Sequence, residues 1–381
     1  MKKVEQITSD NDIVSDYDVR IYPAEIRKIL SNWFTLSGNS APYRAAYNGR
    51  PLTICVKQVS YLGHPHLPFK KRIQIPKEWR GVLQEANTLL LGIYKYKDNL
   101  LFVVFDKTKY ANNRLNNSSA HVHSIDIQKA MEYGTFSKTD SMGNHITVCR
   151  ADRFANFLEK YTTGAMVELP VELDFLDKFS GSFPKTWYGK DCYAEMIRAD
   201  YRNKYQSEWP GFYFEYVFEK YSDENPYTKR ICLFVSDKRI TGLDFDLNFN
   251  NRFLGDLKCH SEESSGVLGN DKLSFDEAVS KYGRFWYVVL SHSTEKDSNH
   301  GYQVTEYWNK AQNKEDLRSY GGRMKYSVTH KNFLVLEVNQ YNRGHLKDFH
   351  QGHQPSGEPR AVKVLIPNRS IDNFLIFKKV L

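Results

Sequence analysis

Apolar and polar residues alternate in two runs of this chain, Leu243 to Phe249 and Phe253 to Cys259, on either side of Asn250, Asn251 and Arg252. Period-two alternation broken by an Asn-rich step predicts a β-hairpin. Residues two apart on a strand share a face. Asp244 and Asp246 therefore point one way on the first strand, and Asp256 and Lys258 do so on the second. Leu243, Phe245, Leu247, Phe253 and Leu257 take the other face, with Leu254 the exception. Three carboxylates and one ammonium thus gather on one side of one hairpin.

The pattern elsewhere divides the chain in two. An amphipathic helix from Ala24 to Phe34 follows Pro23, and then come short strands at Thr53 to Val59, Lys71 to Ile75, Leu89 to Tyr96 and Leu100 to Phe105. Gly63, Pro65, Pro68, Pro76, Asp98 and Asn99 separate them, which reads as an all-β unit built of hairpins. A short helix at Asp126 to Ala130, a strand at His145 to Arg150 and a helix at Arg153 to Tyr161 complete it. The Thr-, Gly- and Pro-containing stretch from Thr162 to Pro170 marks a boundary, giving domains 1–162 and 163–381. Beyond it, helices are expected at Asp174 to Phe179, Cys192 to Lys204 and Pro210 to Tyr221, the last carrying Phe212, Glu215 and Glu219 at helical spacing. A capped helix from Ser274 to Tyr282 precedes a buried strand from Phe285 to Leu290, and further strands fall at Phe333 to Val338, Val362 to Ile366 and Phe374 to Phe377. His300 to Asn309, Ser319 to Tyr326 and Leu346 to Arg360 read as polar loops.

Composition narrows the classes. At 381 residues with 41% hydrophobic and 14% aromatic side chains, the chain can bury two cores and is not disordered. Its 53 basic and 45 acidic residues leave +8 at neutral pH, an excess that favours a polyanionic partner. Five cysteines without metal-ligand spacing argue against a disulfide framework. No signal-like segment and no run of about eighteen apolar residues occurs, so no membrane is expected and a soluble cytoplasmic protein is. The pairs His64/His66 and His121/His123 lack a third ligand of matching spacing and read as polar loop or strand-face residues. There is no phosphate-cradling Gly-rich motif and no Ser-His-Asp signature.

The hairpin carries the most specific chemistry. Magnesium takes oxygen ligands, and phosphodiester hydrolysis needs a metal for the attacking and leaving oxygens and a cation for the developing charge. Two acids, then Asp256-x-Lys258, supply both. The order helix, strand, strand with Asp-x-Lys, helix, strand resembles the core of the PD-(D/E)XK nuclease superfamily. That resemblance implies a first acid at Asp244 or Asp246, the pair at Asp256 and Lys258, a helix acid at Glu215, and Mg2+ held by Asp244, Asp246 and Asp256. Asp244 is favoured because it follows Gly242 at the start of the strand. Two departures stand: no Pro precedes the first acid, and the second acid is Asp rather than the commoner Glu.

Two polar stretches of the N-terminal unit look like an interaction surface. The first holds Lys57, Gln58, Tyr61, His64, Lys70, Lys71 and Arg72. The second runs from Asp106 to Ser119 and holds Lys107, Lys109, Tyr110, Asn112, Asn113, Arg114, Asn116, Asn117 and Ser118. Lys and Arg bind phosphates, while Arg and Asn read base edges in the major groove. The segment from Ile54 to Glu159 is similar to the pseudobarrel of the EcoRII N-terminal and BfiI C-terminal domains, the DNA-binding fold shared with plant B-three factors. In that fold two arms grip the groove, here Lys57 to Arg72 and Lys107 to Ser119.

The combined expectation is an α+β protein, an N-terminal β pseudobarrel DNA-recognition domain followed by an α/β PD-(D/E)XK core with a mixed sheet flanked by helices. The resemblance implies a Type II-like restriction endonuclease acting on double-stranded DNA, with a cognate DNA methyltransferase in the same system. Whether one chain or a homodimer cuts both strands stays open. A DNA-binding regulator whose C-terminal domain has lost catalysis is the alternative.

Overall fold

The structure, a computed structural model, describes residues 2–112, 117–163, 168–235, 245–315, 323–352 and 358–381. It is a mixed α+β protein with several sheets, and it divides into two compact units, Met1–Leu169 and Pro170–Leu381.

In the first unit a seven-stranded sheet is built around the parallel pair Arg50–Gln58 and Thr88–Tyr96. The antiparallel strand Asn99–Phe105 follows, reached through a tight turn at Lys97 in the left-handed region. These three strands read as near-continuous apolar runs because both faces are covered. Ile54, Leu89, Leu91, Ile93 and Phe102 pack with Leu30, Phe154 and Leu158 of the flanking helices in one core. A separate three-stranded sheet pairs Lys70–Pro76 with Asn117–His123 on one side and Ser60–Tyr61 on the other. Two sequence expectations change here. The stretch from Asp106 to Ser119 is not one loop: Thr108–Ala111 is helical and residues from Asn117 onward form a strand. The first helix spans Pro23–Leu30 and ends before Trp33 and Phe34.

In the second unit the strand Phe253–Ser261 is central. It runs antiparallel to Leu247–Phe249 and parallel to Arg284–Lys296, which in turn pairs antiparallel with Lys325–Asn339. Parallel neighbours require a crossover, supplied by the strand Gly266–Asp271 and the helix Lys272–Tyr282. Asp271 caps that helix by accepting from the Leu273 and Ser274 amides, and Gly283 ends it at φ 75°. The helix starts two residues before Ser274 because the capping carboxylate is Asp271. His300 to Asn309 is not a loop either: Gln303–Ala311 is a helix that buries Val304 and Trp308. The strand expected at Phe285 to Leu290 extends to Lys296. Among the described residues, no helix is long and apolar enough to cross a membrane.

Candidate functional site

The hairpin turns at Asn250 and Asn251, both in the left-handed region that Asn tolerates. Asn248 fixes the turn, its Oδ1 accepting from the Asn251 amide at 2.7 Å. Gly255 lets the parallel strand close in, since a Cβ there would sit 2.8 Å from the Trp286 carbonyl oxygen. This packing brings Asp246, just before Leu247–Phe249, against Asp256. The Asp246 amide donates to Asp256 Oδ1 at 3.2 Å, and the Leu257 amide donates to Asp246 Oδ2 at 3.1 Å.

A hairpin that merely solvates an outer face would leave its acids exposed. Asp246 and Asp256 are instead 5% and 2% exposed. Burial, the nearby Asp256 charge and, further off, Glu215 push the Asp246 carboxyl well above the usual carboxylate range. Burial acts on Asp256 in the same direction. It is outweighed by the Lys258 ammonium and by hydrogen bonds from Asp246, Lys258 and Asn270, so Asp256 stays ionised. Lys258 forms an ion pair with Asp256 Oδ2 and keeps 25% of its side chain exposed. Its ammonium is held above the ordinary value because Asp256 and Asp246 overcome the effect of burial.

Glu215 lies on the helix Trp209–Glu224, which has Pro210 in its first turn and buries Phe214 and Phe218. The helix is tied to the central strand where Cys259 Sγ donates to the Pro210 carbonyl at 3.2 Å. Glu219, on the same helix, is engaged by Arg202 at 2.8 Å. Asp244 lies outside the described residues. Sequence reasoning missed two groups. Asn270 contacts Asp256, and Lys363, on the strand Lys363–Pro367, is close enough for Lys258 and Asp256 to act on its charge. Burial and the Lys258 charge lower the Lys363 pKa.

Among the described residues, no cluster of three or more His, Cys, Asp or Glu side chains could hold a metal ion. The donor chemistry still suits a hard cation. Two buried carboxylates of like charge demand either a shared proton or a positive ion, and the Asp246 shift records that demand.

In the first unit the candidate DNA contacts sort by strand parity. Along Lys70–Pro76, Lys71, Ile73 and Ile75 face inward, while Lys70, Arg72 and Gln74 face outward beside Ser119 and His121 of the neighbouring strand. Arg72 Nη1 donates to Ser119 Oγ at 2.8 Å. Lys57, His64, Lys109 and Asn112 are exposed, and Tyr61 is half-buried. Lys71 is a correction: it is fully buried, with Gln6 Oε1 at 3.4 Å and Asp18 Oδ1 at 3.5 Å. Its alternation with Ile73 and Ile75 was the available signal. Tyr110 and Ser118 are also buried. Gln58 Oε1 accepts from the Ile21 amide at 2.8 Å and Lys107 donates to the Ala86 carbonyl at 2.8 Å, so both are committed to the fold. Asn113, Arg114 and Asn116, and the side chain of Asn117, lie outside the described residues.

Residues 50–158 match the family model described as Methylase-associated X1. The match covers less than a third of the chain and spans the larger sheet from its parallel pair to the helix Phe154–Thr163. A domain so described suggests a restriction-modification context. No curated protein and no solved structure matches the chain.

Proposed function

We propose that the chain is a magnesium-dependent, sequence-specific double-stranded DNA endonuclease of a restriction system, in which residues 170–381 cut and residues 1–169 read the duplex. One observation carries the reading: a lysine with solvent access is paired with the buried Asp256, and against that carboxylate lies the buried Asp246, pushed far above its ordinary pKa. The sequence of elements supports it. Helix Trp209–Glu224, the hairpin, helix Lys272–Tyr282 and the parallel strand Arg284–Lys296 follow in the order of the PD-(D/E)XK core.

Asp256 and Asp246 would hold the magnesium, which when bound supplies Lewis-acid stabilisation of the phosphate oxygens. Lys258 orients the attacking water and faces the charge that builds on phosphorus. Lys363 adds a second ammonium on the same side, suited to a neighbouring phosphate. In the first unit, the outward Lys70 and Arg72 and the exposed Lys57 and Lys109 suit phosphate contact, and the methylase-associated description fits a reader of DNA.

The test is incubation of the purified chain with plasmid DNA, with Mg2+ or with EDTA, beside Asp256→Ala. Cleavage that needs Mg2+ and Asp256, with ends of defined sequence, is the expected outcome. Site-specific binding without cleavage at any divalent-ion concentration would overturn the enzyme and leave a DNA-binding regulator.

A further inference from the structure

The two described carboxylates are few ligands for a cation that takes six oxygens, and the structure offers another donor beside them. In the strand Gly266–Asp271, Leu268 pairs with Leu365 and Asp271 with Lys363. Gly269 and Asn270 therefore oppose Val364 alone, a β-bulge, and bulges re-aim a side chain. Tyr287 holds this one in place. Its hydroxyl accepts from the Asn270 amide at 3.3 Å, and a Cβ on Gly269 would come within 2.5 Å of that hydroxyl and of Val364. Tyr287 is also the register partner of Asp256 on the parallel strand, which puts the bulge beside the carboxylate.

The side chain of Asn270 is in hydrogen-bond reach of the Asp256 carboxylate, where only its NH2 group can donate. That fixes its Oδ1 as the free end. Oδ1 is buried and has no hydrogen-bond partner among the described residues. Asp256 Oδ2, with its Lys258 ion pair, likewise accepts no hydrogen bond of normal geometry. A buried acceptor without a donor is costly unless water or a cation reaches it.

We propose that Asn270 is an oxygen ligand of the cation held by Asp256, its Oδ1 on the metal while its NH2 group steadies the carboxylate. The inference rests on the metal-dependent reading above and adds a neutral ligand from outside the hairpin. A neutral donor adds coordination without deepening the repulsion between Asp246 and Asp256.

Mn2+ binding to the full chain without DNA, followed by calorimetry or by the loss of free Mn2+ signal in electron paramagnetic resonance, tests it. Asn270→Leu removes the oxygen and should weaken Mn2+ by about 10-fold or more. Asn270→Asp keeps an oxygen but loses the NH2 donor, and should bind at least as tightly as the native chain. If Asn270→Asp weakens binding as much as Asn270→Leu, the side chain acts only by positioning Asp256 and the inference is overturned. It is also overturned if Asn270→Leu binds normally while Asp256→Asn does not, an outcome that leaves the function standing. A native chain that binds no Mn2+ would overturn both. Circular dichroism checks each variant, and Asn270→Ser, also too short to reach the metal, replaces Asn270→Leu if that one misfolds.

Discussion

Each unit buries a lysine against an aspartate, and the two burials differ in charge and access. In the first unit Lys138 meets Asp126 with both side chains at 1% exposure or less, and His123 lies 3.6 Å from the same carboxylate. Asp126 also accepts from the His123 amide at 2.9 Å, closing the start of the helix Ser124–Tyr133. There one carboxylate faces one ammonium inside the protein. In the second unit two carboxylates share Lys258, whose side chain reaches solvent. A balanced, enclosed pair helps specify a fold. A buried carboxyl pushed far above its ordinary range, beside an ion pair whose lysine reaches solvent, is the arrangement expected of a working site.

The largest effect that could break this contrast is on cleavage. Asp256→Ala or Lys258→Ala should lower plasmid cutting by about 10³-fold or more while DNA affinity stays within a few-fold. A Lys258→Ala enzyme cutting at the native rate would end the assignment. Removing the partner in the other pair should act on stability instead. Lys138→Met leaves Asp126 buried without its ammonium partner, a loss of about 3–5 kcal/mol read from denaturant unfolding. The double change to Met and Leu should recover much of it, and no recovery would mean the pair is not the unit that matters.

A third comparison uses pH. The folded pKa of Asp246 is raised above its unfolded value, so its contribution to stability is present at low pH and is lost as pH rises through the folded pKa. A divalent cation competes with that proton, so Mn2+ should bind more tightly as pH rises through the same range and should release protons. Asp246→Asn should flatten the stability profile, and an unchanged profile would remove Asp246 as its source. The smallest effect separates outward from inward lysines. Lys109→Ala should weaken specific and random duplexes alike and make the salt slope shallower by about one. Lys71→Met should leave that slope alone and lower the melting temperature, because its ammonium bonds Asp18 and Gln6.

Much of this was legible in local pattern. The Asn-rich hairpin, the aromatic helix carrying Glu215 and the apolar strands around Leu89 to Phe105 follow from periodicity within a dozen residues. So does the shared face of Asp256 and Lys258. What escaped depends on distance or on unusual backbone. Asn270 and Lys363 reach the site through a bulge and a strand pairing that link residues nearly a hundred positions apart, and neither leaves a local signal. The helix Gln303–Ala311 was hidden by Gly301 and Tyr302, both in the left-handed region, which look like loop residues. Val304 and Trp308, four apart and buried, were the periodic clue. The strand beyond Leu290 looked polar because Ser291 and His292 are buried with hydrogen-bond partners.

The core over the Asp256 face also sets a clock. Phe275 and Tyr287 pack there with Val364, Ile366, Phe374 and Leu375, so the wall that carries Asn270 and Lys363 cannot close until the chain has been made well past residue 363. A ribosome-bound chain would have its first unit complete while the carboxylates of the second still lay open to water. The last strands to emerge are therefore the ones that complete the wall around the buried carboxylates.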